Sequence, residues 1–367
     1  LDHWEPDGDR LVEDLAALVA HESPSDDVAR VSALAAWIAG RLRDRRVSAE
    51  VRPCPPRGDA VLASVGGGRG GTLLLGHIDT VWPVGSWGAT PFRIDGDLAR
   101  GPGVFDMKAG IAVAMAVLGA LTRGGKPPRV SMLLVPDEEA GTEASRELLL
   151  ATARDHDRVL VLEPSLDGAA KVARKGTGLF RLVLTGLAAH AGLEPEKGAS
   201  ALIEMARQAL AIEALADAAL GTTVTATLAR AGSASNVVPE SAELTADVRV
   251  WTDAESHRIE AGFRRLKPND PRVSIEVLGG FDRPPLEPTP AAEALYLAAR
   301  GIAADLGFDL AAARVGGASD GNLTAAAGVA TLDGLGPRGG GAHARDEHVV
   351  VSDLPLRATL LTRLVAG

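Results

Sequence analysis

The sequence predicts an α/β protein, a mixed, mostly parallel sheet flanked by helices and interrupted by a smaller α+β insert. Three observations carry this. Short apolar runs bounded by Gly, Pro or charge alternate with helical periodicity in the first part of the chain. The middle changes to half-exposed alternating strands with two helices. After a proline-rich connection, helix–strand alternation resumes.

In order, residues 9–22 place Leu11, Val12, Leu15, Leu18 and Val19 on one helical face, and residues 26–44 do the same with Val28, Val31, Leu34, Ile38 and Leu42. The runs 60–65, 72–75, 131–135 and 159–162 are continuously apolar, as strands covered on both faces are. Residues 109–121 form a strongly apolar helix between them. Then come a strand at 179–185, an Ala-rich helix at 199–220, strands at 222–229 and 242–250, a helix at 254–266 and a strand at 272–278. That βαββαβ order is the split-βαβ, or ferredoxin-like, arrangement. PPLEPTP is a stiff connection, with alternation resuming from Ala291. This assigns 1–175 and 286–367 to one domain and 176–285 to the insert.

With 367 residues, 38 basic and 48 acidic side chains, the net charge of −10 argues against a broad nucleic-acid-binding face. Five Trp, one Tyr and six Phe argue against stacking platforms for bases or sugars. No apolar run approaches the ~20 residues a transmembrane helix needs, so no membrane partner is expected. The start, LDHWEPDGDR, is acidic and lacks a signal-peptide pattern. A cytoplasmic protein is the expectation, with a removed export signal left open because no initiator Met is present. Cys54 is the single cysteine, which forbids an intramolecular disulfide and a Cys-based zinc site. A tightly held metal must use His and carboxylate groups.

Four places set such groups at the ends of apolar strands or the start of the apolar helix. LLLGHIDTVWP carries His77 and Asp79; GPGVFDMKAG carries Asp106; LLVPDEEAGT carries Glu138 and Glu139; VLVLEPS carries Glu163. Each alone has a bland reading: a capped loop, an acidic helix start favoured by the macrodipole, or a turn residue. Together they differ, because carboxyl ends of strands in an open α/β sheet border the functional crevice. Carboxylates converging there repel one another without cations, and two divalent metals would resolve that repulsion.

With these motifs and the C-terminal GGGAHARDEHV, the chain resembles the di-zinc metallopeptidase family that contains carboxypeptidase G, aminoacylases, acetylornithine deacetylase and succinyl-diaminopimelate desuccinylase. The resemblance runs over nearly the whole chain. It implies two Zn2+, with Co2+ or Mn2+ as substitutes. His77 and Glu163 would bind one, Glu139 and His343 the other, and Asp106 would bridge them. Asp79 would hydrogen-bond the free nitrogen of His77, Glu138 would be the general base, and the Asp106–Met107 peptide would be cis. His343 is preferred to His348 because the family's histidine is followed four residues later by Glu, here Glu347. His3, His21, His156 and His257 lie outside the motifs and read as surface residues.

The resemblance also makes the insert a lid and dimerisation domain, so a homodimer is expected. His190, in LTGLAAHAG, would act on the oxyanion across the dimer interface, with Asn236 from the partner subunit and Arg249 contacting the substrate carboxylate. Lys171, Arg283 and Gly317 complete the substrate positions, Lys171 and Arg283 by likeness to the glutamate carboxypeptidase branch. Ala173 and Val315 stand where that branch is expected to have hydroxyls, and Ala109 replaces a glycine, which weakens strict glutamate specificity. The implied reaction is hydrolysis of the amide of an N-acyl or peptidyl amino acid with a free α-carboxylate. The alternatives are a biosynthetic-type deacylase or a broad aminoacylase. A metal-free binding protein is ranked low because the ligand set is complete. A serine-nucleophile hydrolase is set aside on the reading that no G-x-S-x-G motif occurs.

Overall fold

The structure, a computed structural model, describes residues 6–123 and 126–367; His3 lies outside them. The chain divides into two compact units, one of residues 1–173, 288–314 and 319–367, the other of residues 174–287 and 315–318.

The first unit is built on a six-stranded sheet in the order Ser48–Pro53, Asp59–Val65, Val130–Val135, Thr72–His77, Arg158–Val161, Ala330–Leu332. The first two pairings are antiparallel and the remaining three parallel. Both faces are covered, so alternate residues of one apolar run enter different cores. Leu74, Met132, Leu134 and Leu160 pack with the helices Gly8–Ala20, Val28–Arg43, Ala109–Leu121, Pro290–Asp305 and Asp353–Ala366. Leu73, Leu75, Leu133, Val135, Val159 and Val161 pack instead with Leu149, Ala153 and Leu323 of the helices Arg146–Arg154 and Asp320–Ala326. Each such side chain contributes about 1.5–3 kcal/mol of burial.

One apolar run is longer than expected. The stretch Val104–Leu121 is long and apolar enough to cross a membrane by length and composition, but 89% of it is buried in the fold. It is the central core helix and the turn before it.

The second unit is a four-stranded antiparallel sheet with Thr223–Ala231 at one edge, then Ser241–Val250, Gly176–Thr185 and Ser274–Arg283. The helices Ala201–Glu213 and Asp253–Arg264 pack on it around Phe180, Leu182, Leu184, Met205, Ile259 and Phe263. This is the strand order of the ferredoxin-like arrangement.

Two elements differ from expectation. The helix expected over 199–220 is Ala201–Glu213, capped by the Ser200 hydroxyl. Beyond it, the Asp217 carboxylate accepts from the N–H groups of Ala219 and Leu220, a local turn that competes with helix. The last strand does not stop at 278 but continues to Arg283. At Gly279, φ is +87° and an added Cβ would lie 2.1 Å from the Leu179 carbonyl oxygen. The glycine permits close approach of two strands rather than ending one.

At Gly110, the second residue of the core helix, a Cβ would lie 2.2 Å from the Leu162 carbonyl oxygen. Gly110→Ala should destabilise the protein by about 1–3 kcal/mol despite the better helix propensity, because the clash is with backbone. A lower urea midpoint at unchanged m-value checks this.

Candidate metal centre

The parallel strands of the first unit point the same way, so their carboxyl ends bring His77, the 137–139 turn and Glu163 to one rim. Asp106 arrives from a different direction, in the turn before the core helix. There Gly103 has φ +68°, Asp106 and Met107 have non-helical dihedrals, and the Asp106–Met107 bond is cis. His343 comes from the turn between the short strands Gly339–Gly340 and His348–Val350, and it sits at φ +61°. That left-handed conformation is disfavoured for a side chain of this size, and it presents the ring to the cluster.

The cluster has two halves. The Nε2 of His77 is 3.3 Å from Asp106 Oδ1 and 3.4 Å from Glu163 Oε1. The Nε2 of His343 is 3.0 Å from Glu139 Oε1 and 3.4 Å from Asp106 Oδ2. Asp106 therefore turns one oxygen to each half. Within each triad, His77–Asp106–Glu163 and Asp106–Glu139–His343, ligand-type atoms lie within 4.8 Å of one another. His348 is outside both; its Nδ1 hydrogen-bonds the Asp346 carbonyl at 2.8 Å.

Asp79 is placed differently from the simplest expectation. The nearest acceptor to His77 Nδ1 is the Asp79 main-chain carbonyl at 3.0 Å, with the carboxylate Oδ1 at 3.5 Å. That carboxylate chiefly accepts from the N–H groups of Glu138 and Glu139, at 3.1 and 3.2 Å, and from the Ser25 hydroxyl at 2.7 Å. Asp79 thus orients the ring mainly through its carbonyl, while its carboxylate fixes the backbone that carries both glutamates. Asp137 closes the same turn by accepting from the Ser145 hydroxyl and the Ala144 N–H. Glu138 is half-buried at this turn.

The electrostatics call for positive charge. Burial disfavours a charged His77 ring, but Asp106, Asp79 and Glu163 outweigh it and raise its pKa well above the usual value. Hydrogen bonds to Asp106 and Glu139 push His343 up to about 10. Burial pushes Glu139 up; it acts the same way on Asp106, but the two imidazoles hold that carboxyl well below the usual range. Each half offers one imidazole nitrogen, one terminal carboxylate and a share of Asp106, with no thiolate. That is the three-ligand set of a divalent cation site with an open position, and Zn2+, Co2+ or Mn2+ fits its donors.

Glu347 carries more of the centre than its spacing from His343 implies. The Glu347 side chain, fully buried, accepts from Phe105 N–H at 2.9 Å and Asp106 N–H at 3.1 Å through Oε1. Its Oε2 accepts from Gly103 N–H at 3.0 Å and from the Trp82 indole at 2.7 Å. Its four-residue spacing from His343 was the only signal. Nothing in the sequence singled out Lys108, whose buried ammonium donates to the His21 carbonyl and whose pKa burial lowers to about 7.

The other predicted positions fall as follows. Lys171 is a half-buried residue of a first-unit strand, its backbone paired with Asp333. In the second unit, His190 and Asn236 are brought together: Ala191 N–H donates to the Asn236 carbonyl, and His190 is bridged to Val237. Both side chains are exposed. Arg249 and buried Arg283 flank Thr177 on neighbouring strands in one row of the sheet. Arg249 is held by Asp247 through two hydrogen bonds of 2.8 Å. Exposed Gly317 accepts from Arg174 through its carbonyl.

Two sequence readings need correction. His156 is not a surface residue; it is buried, with hydrogen bonds to the Thr152 carbonyl and the Ser131 hydroxyl. The G-x-S-x-G spelling does occur, at Gly317–Gly321, but its Ser319 is no nucleophile. That serine is fully buried and caps the helix Asp320–Ala326, with its hydroxyl on Asp333.

Comparison with known proteins agrees on one family. The description "Peptidase family M20/M25/M40" matches residues 73–367. Carboxypeptidase G2 of Pseudomonas sp. (strain RS-16) is 33% identical over 321 residues, 84% of this chain and 76% of that protein. Succinyl-diaminopimelate desuccinylase of Verminephrobacter eiseniae is 30% identical over 304 residues, 77% of this chain and 74% of that protein. The crystal structure of the aminopeptidase PepT from Bacillus cereus shares the fold with a TM-score of 0.76 at 20% identity, covering 98% of both chains.

Metal-stripped protein should gain about 2.7 kcal/mol of stability at free Zn2+ one hundred times Kd for a single site, read as a rise in Tm by calorimetry. Asp106→Asn, which serves both halves, should abolish the rise, whereas Glu163→Gln should keep part of it. A full rise in Asp106→Asn would exclude the shared role.

Proposed function

Because the chain belongs to peptidase family M20/M25/M40, a family of amide-bond metallohydrolases, we propose that it hydrolyses the amide of N-acyl or peptidyl amino acids bearing a free α-carboxylate, as glutamate carboxypeptidases do. The observation that carries this reading is the single Asp106 carboxylate facing two His–carboxylate pairs. Two Zn2+ are the proposed cofactors. When bound, such a pair supplies a water of lowered pKa and polarises the scissile carbonyl.

The chain's own residues do the rest. Asp79 sets the Glu138 and Glu139 backbone together, so a base and a ligand are placed by one carboxylate. Glu138 takes the proton from the attacking water and delivers it to the leaving amine. In His190, the Gly192 N–H donates to Nδ1 at 3.1 Å. Nδ1 is thus an acceptor, which leaves Nε2 as the nitrogen to donate to a developing oxyanion. Arg249, Arg283, Asn236, Lys171 and Gly317 are the proposed substrate-binding positions. Arg249 and Arg283, in one row of the sheet about 10 Å apart by strand spacing, suit carboxylate recognition.

We further propose a homodimer through the second unit, the partner copy supplying His190 and Asn236. The helix Ala201–Glu213 exposes Leu202, Ile203 and Leu210, and the edge strand Thr223–Ala231 exposes Leu228. An unpaired edge beside apolar side chains suits pairing with a second copy. The similarity to a succinyl-diaminopimelate desuccinylase keeps a biosynthetic deacylase as the second reading.

A panel of N-acyl amino acids varying only the side chain separates the two readings: preference for acyl-glutamates supports the first, preference for basic or diamino side chains the second. On the preferred substrate, Glu138→Gln should retain both metals and lower kcat by about 10²–10⁴ or more; ordinary turnover would remove Glu138 from the base role. Separately, His190→Ala mixed with Asp106→Asn should regain activity through heterodimers. No recovery despite demonstrated subunit exchange would mean that one chain holds the complete site.

A further inference from the structure

The segment from Gly103 to Met107 has a problem that its neighbours in regular structure do not. It carries the shared carboxylate on a backbone that is neither helix nor strand at Asp106 and Met107. The Val104 N–H finds a turn partner in the Gly101 carbonyl at 3.2 Å, but the N–H groups of Gly103, Phe105 and Asp106 turn to a side chain instead, and Gly103 and Phe105 are buried. Two contacts lock it. On one side, Met107 packs on Gly76, where an added Cβ would lie 2.5 Å from the Met107 methyl, and its sulfur receives the His77 N–H at 3.3 Å. On the other, both Glu347 oxygens are taken up by N–H donors, three from this backbone and one from Trp82.

Glu347 is fully buried, and each of its oxygens already has two donors. It is not placed as a ligand. It lies four residues beyond His343, at the start of the strand His348–Val350, so it connects the loop of one ligand to the backbone of another. The Trp82 indole brings in the segment that follows His77 and Asp79, and the Arg345 guanidinium lies over the Trp82 ring at 5.4 Å and also donates to the Ser86 carbonyl.

We propose that Glu347 is a positioning residue that sets the Asp106 carboxylate between the two halves of the centre, tying the His343 loop and the Trp82 segment to the Asp106 backbone. This rests on the two-cation reading above. It assigns Glu347 a part in how tightly the second cation is held and in the symmetry of the pair, beyond holding the fold together.

The probe is Co2+ added to the metal-free full-length protein, followed by equilibrium dialysis and visible absorption. Wild-type protein should take up two Co2+; if it does not, the two-cation reading fails and this inference falls with it. Glu347→Gln keeps the size but turns one acceptor into a donor facing N–H groups. It should retain the wild-type circular dichroism spectrum, bind the second Co2+ about 10–100-fold more weakly, and show a shifted ligand-field band. Glu347→Asp, which keeps both oxygens and the charge one methylene shorter, should recover part of both. A purely structural role would lower Tm and leave the Co2+ affinity and band of the folded protein as in wild type, and that result overturns the proposal. If Glu347→Gln fails to fold, Glu347→Asp decides by the same two readouts.

Discussion

The centre depends on an excess of acid in a confined space. Asp106, Glu139 and Glu163 approach two imidazoles, with Asp79 buried behind them. Carboxylates removed from water must be paired or neutralised. Without a cation, the histidines answer by holding their protons far more tightly than usual. A divalent cation in each half would replace those protons with a larger charge at shorter range. Affinity for metal and the arrangement of the acids are thus one property.

The fold meets this constraint by dividing the work between rigid and irregular parts. Parallel strands buried on both faces set His77 and Glu163 and end in the turn that carries Glu139. Irregular segments supply what strands cannot: a left-handed His343 and an Asp106 backbone outside both regular conformations. Buried carboxylates hold these segments. Asp79 serves two N–H groups and a hydroxyl, and Glu347 serves four N–H donors. Both organise backbone more than they neutralise charge.

Much of this was legible in the residues. The apolar runs announced the buried strands, because a strand covered twice has no polar face to show. His77, Asp106, Glu139 and Glu163 stood out because acids and an imidazole interrupt apolar runs at their ends. What escaped had local causes. Asp217 drew the backbone of the Ala-rich helix into a turn, and Gly279, one residue past the expected strand end, serves close strand contact. His156 carries no periodic or motif signal, yet it is buried on two hydrogen bonds. The partners of Glu347 come from positions 82 and 103–106, and no local pattern connects them.

Asp79 has a consequence for how this protein can change. One carboxylate suspends the main chain of two successive glutamates, and an alteration that tunes the reach of Glu138 also drags Glu139 away from His343. Adjustments at this turn are therefore coupled. Under the proposed reading, variation in what is recognised would fall on the other unit, at exposed Asn236 and half-buried Arg249, more readily than at buried Arg283. Laboratory selection for new substrates would start from positions 236 and 249 and leave the acidic cluster alone.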